Sequence, residues 1–362
     1  MRGWVTLGGL LTTVLVLAPM PADAQTAPRR WQVDVFGGIS LFELPTSGEA
    51  ALPPAGPTLP TSGPTNPSRR VPTWFLGDGA SLLNGTNAEF GVASRLVPLD
   101  AALGAIGLSG SDAPVFGARA RRVLTRRWSF EVGAEIHTGA VELDSHLLDT
   151  IEQARASFGP AFTGLFTSGP FTGIAVNATA EITGASSREL ALTAAIRFAL
   201  AQGHFAPYVT LGGGLIHRLG ELPQATLAGT YQFRVSTAQG QALFSESDTL
   251  TVRYNQSANL VGIAGAGFQQ RLTDRLSLAI DGRAYVGRQT LTLRLDSAPV
   301  VTTQTPGAFI ESFTTPAVQF SNNTATGRAS TLSGLPLNGF KAFSTNGLQI
   351  RYQVTAGVSL RF

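Results

Sequence analysis

The residues best placed to do chemistry in this chain are acids and arginines that recur on the polar parity of alternating segments. The acids are Asp34, Glu131, Glu135, Glu189 and Asp281, and the bases are Arg119, Arg121, Arg197, Arg283 and Arg351. Charges removed from bulk water must be paired or keep water of their own. Arg119 and Arg121 lie on a segment that pairs with the one carrying Glu131 and Glu135. Asp34 and Arg351 lie on the first and last alternating segments, which meet if a sheet closes on itself. Two readings follow: a salt-bridged plug, or a narrow polar conduit through gaps left by Gly117, Gly133, Gly212, Gly214 and Gly357. Acids and bases balance, so strong ion selectivity is not expected.

Other chemistry is poorly supported. His137 points inward, His146 falls in a loop helix, His204 in a turn and His217 past a strand end, without a metal-ligand spacing such as two His four apart. A lipid deacylase needs a His and a Ser together on a lipid-facing surface. His137 has the wrong parity for that, because Ile136 faces out. The glycines of Gly212 to Gly214 and of GIAGAGF are followed by neither a Lys-Ser/Thr pair nor a helix start, so they make no phosphate loop. No cofactor is expected, and the chain is expected not to be an enzyme.

The elements that position these groups are strands. In Leu348 to Phe362, LQIRYQVTAGVSLRF, even positions are apolar and odd positions are mostly polar, which is a strand with two unlike faces. It exceeds an ordinary strand of about five or six residues and suits a tilted membrane strand of roughly nine to eleven. Similar alternation appears in WQVDVFGGISLF (31–42), FGARARRVL (116–124), WSFEVGAEIH (128–137), RELALTAAIRFAL (188–200), FAPYVTLGGGLI (205–216) and LTDRLSLAIDGRAYVG (272–287). NLVGIAGAGFQQ (259–270) is a further strand of ambiguous parity, since both faces are small or apolar. This predicts an all-β fold: an eight-stranded antiparallel up-and-down transmembrane β-barrel, with short turns at one end and long loops at about 43–113, 143–187, 219–250 and 292–346 at the other.

Within the loops, 73–87 and 99–108 are apolar enough for short helices or a cap on the rim. Ser145 is expected to N-cap a helix with Leu148, Ile151 and Phe158 on one face. Residues 231–235 and 250–254 read as strands extended above the membrane. Trp31, Trp128, Phe198, Phe205 and Phe268 all fall at the short-turn end, where an aromatic girdle belongs.

Composition agrees with such a barrel. Charged residues make up only 14%, Gly is abundant at 41, Cys is absent and the net charge is +3. Mean hydropathy is slightly positive. The basic residues are scattered rather than clustered, which argues against nucleic acid as a partner. At the N-terminus, Arg2, the apolar run Leu10 to Leu17 and Ala22-Asp23-Ala24 form a targeting segment, so residues 1–24 are expected to be removed as a signal peptide and 25–362 to form one barrel domain.

The final VSLRF, the turns LTRRWSF and LTDRLSL, and the alternation of long with short connections resemble the outer-membrane β-barrel proteins of Gram-negative-type bacteria, specifically the small OmpA-, OmpX- and OmpW-like barrels. The resemblance implies outer-membrane localisation and contact with outer-membrane lipid and lipopolysaccharide. It implies periplasmic chaperones and the barrel-assembly machinery as partners in biogenesis, with Tyr352, Val358, Leu360 and Phe362 as the assembly signal. It also implies a monomer. A peptidoglycan-binding domain after the barrel is not expected. The functions weighed are a structural or surface-interaction role through the long loops, a small passive channel for small solutes, and a lipid-modifying enzyme.

Overall fold

A computed structural model describes residues 31–42, 44–45, 47–57, 69–110, 112–139, 141–184, 187–237, 240–303, 318–320 and 330–362. The expected signal peptide lies outside the described residues. The principal strands are β1 (Trp31–Phe42), β2 (Ala113–Val123), β3 (Trp128–Gly139), β4 (Thr172–Thr183), β5 (Ser187–Ala199), β6 (Phe205–Leu219), β7 (Gln224–Thr237), β8 (Gly240–Gln256), β9 (Asn259–Arg271), β10 (Leu276–Ser297) and β11 (Phe340–Arg361). Two helices, α1 (Gly77–Glu89) and α2 (Ser145–Thr167), lie in the long connections.

Eight of these strands close a barrel. β1, β2, β3, β5, β6, β9, β10 and β11 pair antiparallel in chain order, and β11 pairs with both β10 and β1. The register gives the shape. Ser359 partners Asp34, and the track continues through Arg119, Gly133, Thr193, Gly214, Val261 and Gly287 to Gln349, ten residues back along the starting strand. That stagger over eight strands sets a tilt of about 41° from the barrel axis. A barrel of this size is filled by its own side chains.

The two-residue period decides which side chains enter. On β1, Gln32, Asp34 and Phe36 are buried while Val33 and Val35 are exposed. On β11, Gln349, Arg351, Gln353, Thr355 and Ser359 are buried, while Leu348, Tyr352, Val354 and Leu360 are exposed. The parity of β9, ambiguous in the sequence, is resolved: Asn259, Val261 and Ile263 point inward and Leu260 is 78% exposed. The lumen is therefore not uniformly polar, because Ala191, Ile216, Val261, Ile263 and Tyr285 form a small apolar patch inside it.

The long connections are more ordered than expected and their boundaries shift. β10 continues to Ser297 and β11 begins at Phe340, so both strands run into the segment read as the 292–346 loop. The 143–187 segment holds α2 and the whole of β4, and the 219–250 segment is a hairpin of β7 and β8. The first loop ends where β2 starts at Ala113, and His217 lies within β6 rather than past its end. Above the barrel β8 takes the place of β9 beside β10, and the sheet continues through β7 to β4. The result is a hood that rises from one side of the barrel.

The hood buries the larger of two hydrophobic cores. Its inner face presents Leu227, Tyr231 and Phe233 from β7, and Phe244, Leu250 and Val252 from β8, to α2. The Asp144 side chain, not Ser145, N-caps α2 by accepting from the Leu147 N–H at 2.8 Å. The face it buries is Leu147, Ile151, Ala154, Phe158, Phe162 and Phe166, with Leu148 only partly covered. Gly229 lets the helix approach: a Cβ there would stand 2.4 Å from the Phe158 ring.

Candidate functional site in the lumen and hood

The inward charges form three tiers, stacked along the axis by the tilt. In the middle tier Arg119 Nη1 donates to Asp281 Oδ2 at 2.7 Å and its Nη2 to Glu135 Oε1 at 3.0 Å. Arg283 Nη2 donates to Glu131 Oε1 at 2.7 Å and its Nε to Asp281 Oδ2 at 2.8 Å. Tyr285 donates its hydroxyl to Glu135 Oε2 at 2.9 Å. The Arg119 guanidinium also covers the Phe36 ring, 3.8 Å from its centroid. These charges come from β2, β3 and β10, so the pairing crosses the lumen rather than running only along neighbouring strands. Each charge keeps at least one partner after losing water, while Glu131 Oε2, Asp281 Oδ1 and Arg283 Nη1 have no hydrogen-bond partner among the described residues.

The upper tier centres on Glu189. Arg218 Nη2 reaches one of its oxygens at 2.9 Å and Arg351 Nη2 the other at 2.5 Å. His137 lies below, 3.8 Å from Glu135. Asp34 and Arg351 do sit on the strands that close the barrel, but they do not pair. Phe42 is the register partner of Arg351, and Asp34 accepts from the Ser359 hydroxyl.

The lower tier, next to the short turns, breaks the expected pattern of arginine–carboxylate pairs. Arg121 and Arg197 each donate Nη2 to the same oxygen, Gln269 Oε1, at 3.0 Å. Arg197 also lies 3.1 Å from the centroid of the Tyr208 ring.

Of the glycines offered as possible gaps, those beside Phe36 are filled by that side chain. The Phe36 ring occupies the space a Cβ would need at Gly117, and its stem does so at Gly357. Thr193 and Arg119 fill against Gly133, Ala195 against Gly212, and Leu192 and Thr193 against Gly214. At Gly117, Gly133 and Gly357 the missing side chain makes room for Phe36, Arg119 and Thr193 inside the lumen, whereas Gly212 and Gly214 lie against the backbone of the neighbouring strand.

Outside, the barrel shows an exposed apolar belt. At the short-turn end Trp128 stacks near Phe198, with centroids 4.6 Å apart, and Phe205 near Phe268 at 5.2 Å. Trp31 is exposed at the same end, and its carbonyl accepts the Phe362 N–H at 2.9 Å. Phe362 itself stands one residue past β11.

Sequence reasoning missed Gln269, Arg218 and two hood acids, Glu246 and Asp248. Arg218 was lost because its strand was ended at Ile216. The acids were lost because FSESDT reads as a polar loop, yet they continue the parity of Ala242, Phe244, Leu250 and Val252. Asp248 accepts from the Trp74 N–H at 2.6 Å and the Thr73 hydroxyl at 2.9 Å. Glu246 accepts from the hydroxyls of Tyr231 and Ser330. Together they fasten the first and last long connections to the β7–β8 hairpin. Burial pushes the Glu246 carboxyl up to about 8 and the Asp248 carboxyl up to about 7. The Tyr231 hydroxyl is raised well above its usual range by burial and by Glu246.

No family model matches the chain and no curated protein matches it. Among solved structures it is similar to an outer membrane channel from Pseudomonas putida F1, at 8% identity, covering 94% of this chain and 100% of that one, with a TM-score of 0.23. It is also similar to the Pseudomonas putida toluene transporter TodX, at 10% identity, 92% and 90% coverage and a TM-score of 0.21. Scores this low carry no argument about fold or function, so the barrel rests on the strand pairing of this chain.

Proposed function

We propose that this chain is an integral outer-membrane β-barrel with a structural or surface-interaction role. Its hood is the extracellular surface, and its lumen is closed to solutes. The observation that carries the reading is the cross-lumen network of Arg119 and Arg283 with Glu131, Glu135 and Asp281, which stands inside an exposed apolar belt. Twelve residues of a strand tilted by about 41° rise about 30 Å, enough for the roughly 25 Å apolar band of an outer-membrane barrel. The short-turn end, with its aromatic girdle, faces the periplasm. Residues 1–24 direct export, Tyr352, Val358, Leu360 and Phe362 serve assembly, and lipopolysaccharide surrounds the outer rim. The resemblance to the small OmpA-, OmpX- and OmpW-like barrels belongs to this proposal, as does the monomeric state. No catalytic role is proposed.

Passage of small solutes is the second reading. It is favoured by lumen polar atoms on Gln289, Gln353 and His137 that are buried without hydrogen-bond partners among the described residues and suit water. Single-channel recording of the refolded protein separates the two. A silent bilayer supports the closed barrel, and steady small conductance steps support passage.

A further inference from the structure

The lower tier holds two guanidiniums that no carboxylate touches among the described residues. Arg121 and Arg197 are 3% and 5% exposed. Among the described residues neither makes an ion pair. The nearby carboxylates act on them only from a distance: Glu131, opposite Arg121 in register, is in contact with Arg283, and Asp34 accepts from the Ser359 hydroxyl. The two guanidiniums share one neutral amide oxygen, and that atom is within 3.0 Å of both. Among the described residues, the Arg121 Nε and the Gln269 Nε2 are buried without hydrogen-bond partners. A buried guanidinium solvated by one amide dipole is costly, and two of the same sign facing each other are costlier.

The rim around this mouth is also positive. Arg126, Arg127, Arg271 and Arg275 lie in or beside the short turns, with Asp274 as the acid among them, while Arg122 lies on the outer face over the Trp31 ring. A predominantly positive rim around a narrow low-dielectric opening concentrates anions.

We infer that Arg121, Arg197 and Gln269 form a binding site for a small oxyanion, of the size of inorganic phosphate or a short carboxylate, just inside the short-turn mouth. The Gln269 oxygen now holds the place of the ligand. Guanidinium forks match oxyanion geometry, and two of them converge here. When the anion enters, Gln269 turns its amide so that the unpartnered Nε2 donates to the ligand. The Tyr208 face keeps Arg197 in position. The site does not depend on whether the lumen conducts.

The test uses the full barrel refolded in detergent, with inorganic phosphate as the probe and its 31P NMR line width as the readout at constant ionic strength. The wild type is expected to broaden the line saturably, and acetate is expected to reverse the broadening. Arg197→Gln and Arg121→Gln are each expected to weaken binding tenfold or more. Gln269→Glu places a carboxylate between the two arginines, so it is expected to abolish broadening while raising the thermal unfolding midpoint; this variant remains informative if an arginine variant does not fold. The inference is overturned if the wild type shows no saturable broadening, or if Gln269→Glu binds phosphate as the wild type does. It is equally overturned if Arg126→Gln with Arg275→Gln removes binding while Arg121→Gln and Arg197→Gln retain it, because the rim alone would then be the site.

Discussion

Raising the pH should loosen the hood, and the two buried acids set the sign and size of the effect. Glu246 ionises at about 8 in the folded hood, against an ordinary value of 4.5. A carboxyl raised by folding stabilises the fold fully below its unfolded value and loses that contribution as pH rises through its folded value. The window for Glu246 is therefore about pH 4.5 to 8. At about 1.4 kcal/mol per pH unit, the loss between pH 5 and pH 9 is on the order of 4 kcal/mol. Asp248, raised to about 7, acts in the same direction. The opening is local, because the acids fasten the Thr73–Trp74 segment and Ser330 to the β7–β8 hairpin without reaching the barrel. The Trp74 amide is the direct reporter, since its N–H is donated to Asp248. Its hydrogen-exchange protection factor, corrected for the intrinsic rate, should fall by at least about 10³-fold from pH 5 to pH 9. In Glu246→Gln with Asp248→Asn the fall should nearly vanish. Protection that is flat with pH in the wild type, or that falls equally in the double variant, would refute the reasoning.

Three further outcomes follow from the same geometry. Arg283→Met leaves Asp281 and Glu131 with Arg119 alone and should cost about 3–5 kcal/mol in denaturant unfolding of the barrel in lipid vesicles. Val354→Arg puts a charge on the exposed face near mid-height and should cost about 2–4 kcal/mol in the same assay, whereas Leu360→Arg, near the short-turn end, should cost about 0–1. Phe158→Ala should destabilise the hood by about 3–5 kcal/mol, read as faster proteolysis in the loops while the barrel keeps its heat-modifiable gel mobility.

The barrel was legible in the sequence because its strands separate two environments with a period of two. Parity alone placed Asp34, Arg119, Glu131, Glu135, Asp281 and Arg283 inside. It could not say which charges pair, since Arg119 reaches Asp281 across the lumen from a strand 162 residues away in sequence. Nor could it decide between a void and a filled space at Gly117 and Gly357, because a missing side chain looks the same whether it leaves a gap or admits the Phe36 ring or stem. The hood was the harder part. β4, TGIAVNATAEIT, alternates Ile and Val with Ala, Asn and Thr too weakly to announce a strand, and it is ordered by β7 and α2. Glu246 and Asp248 are hydrophilic residues on an inward parity, so composition pointed the wrong way where tertiary contacts decided.

Because the chain has no Cys, nitroxide labels can be placed one at a time at positions 352 to 358 of the barrel reconstituted in lipid. Collision with oxygen dissolved in the acyl chains, compared with a water-soluble nickel relaxant, reports the surroundings of each label. The account predicts strong oxygen exposure at Tyr352, Val354, Ala356 and Val358, and shielding from both relaxants at Gln353 and Thr355; position 357 is left unlabelled, because a Cβ there would meet the Phe36 stem. Even-numbered labels immobilised and shielded, or odd-numbered labels freely reached by nickel through a water-filled lumen, would contradict it.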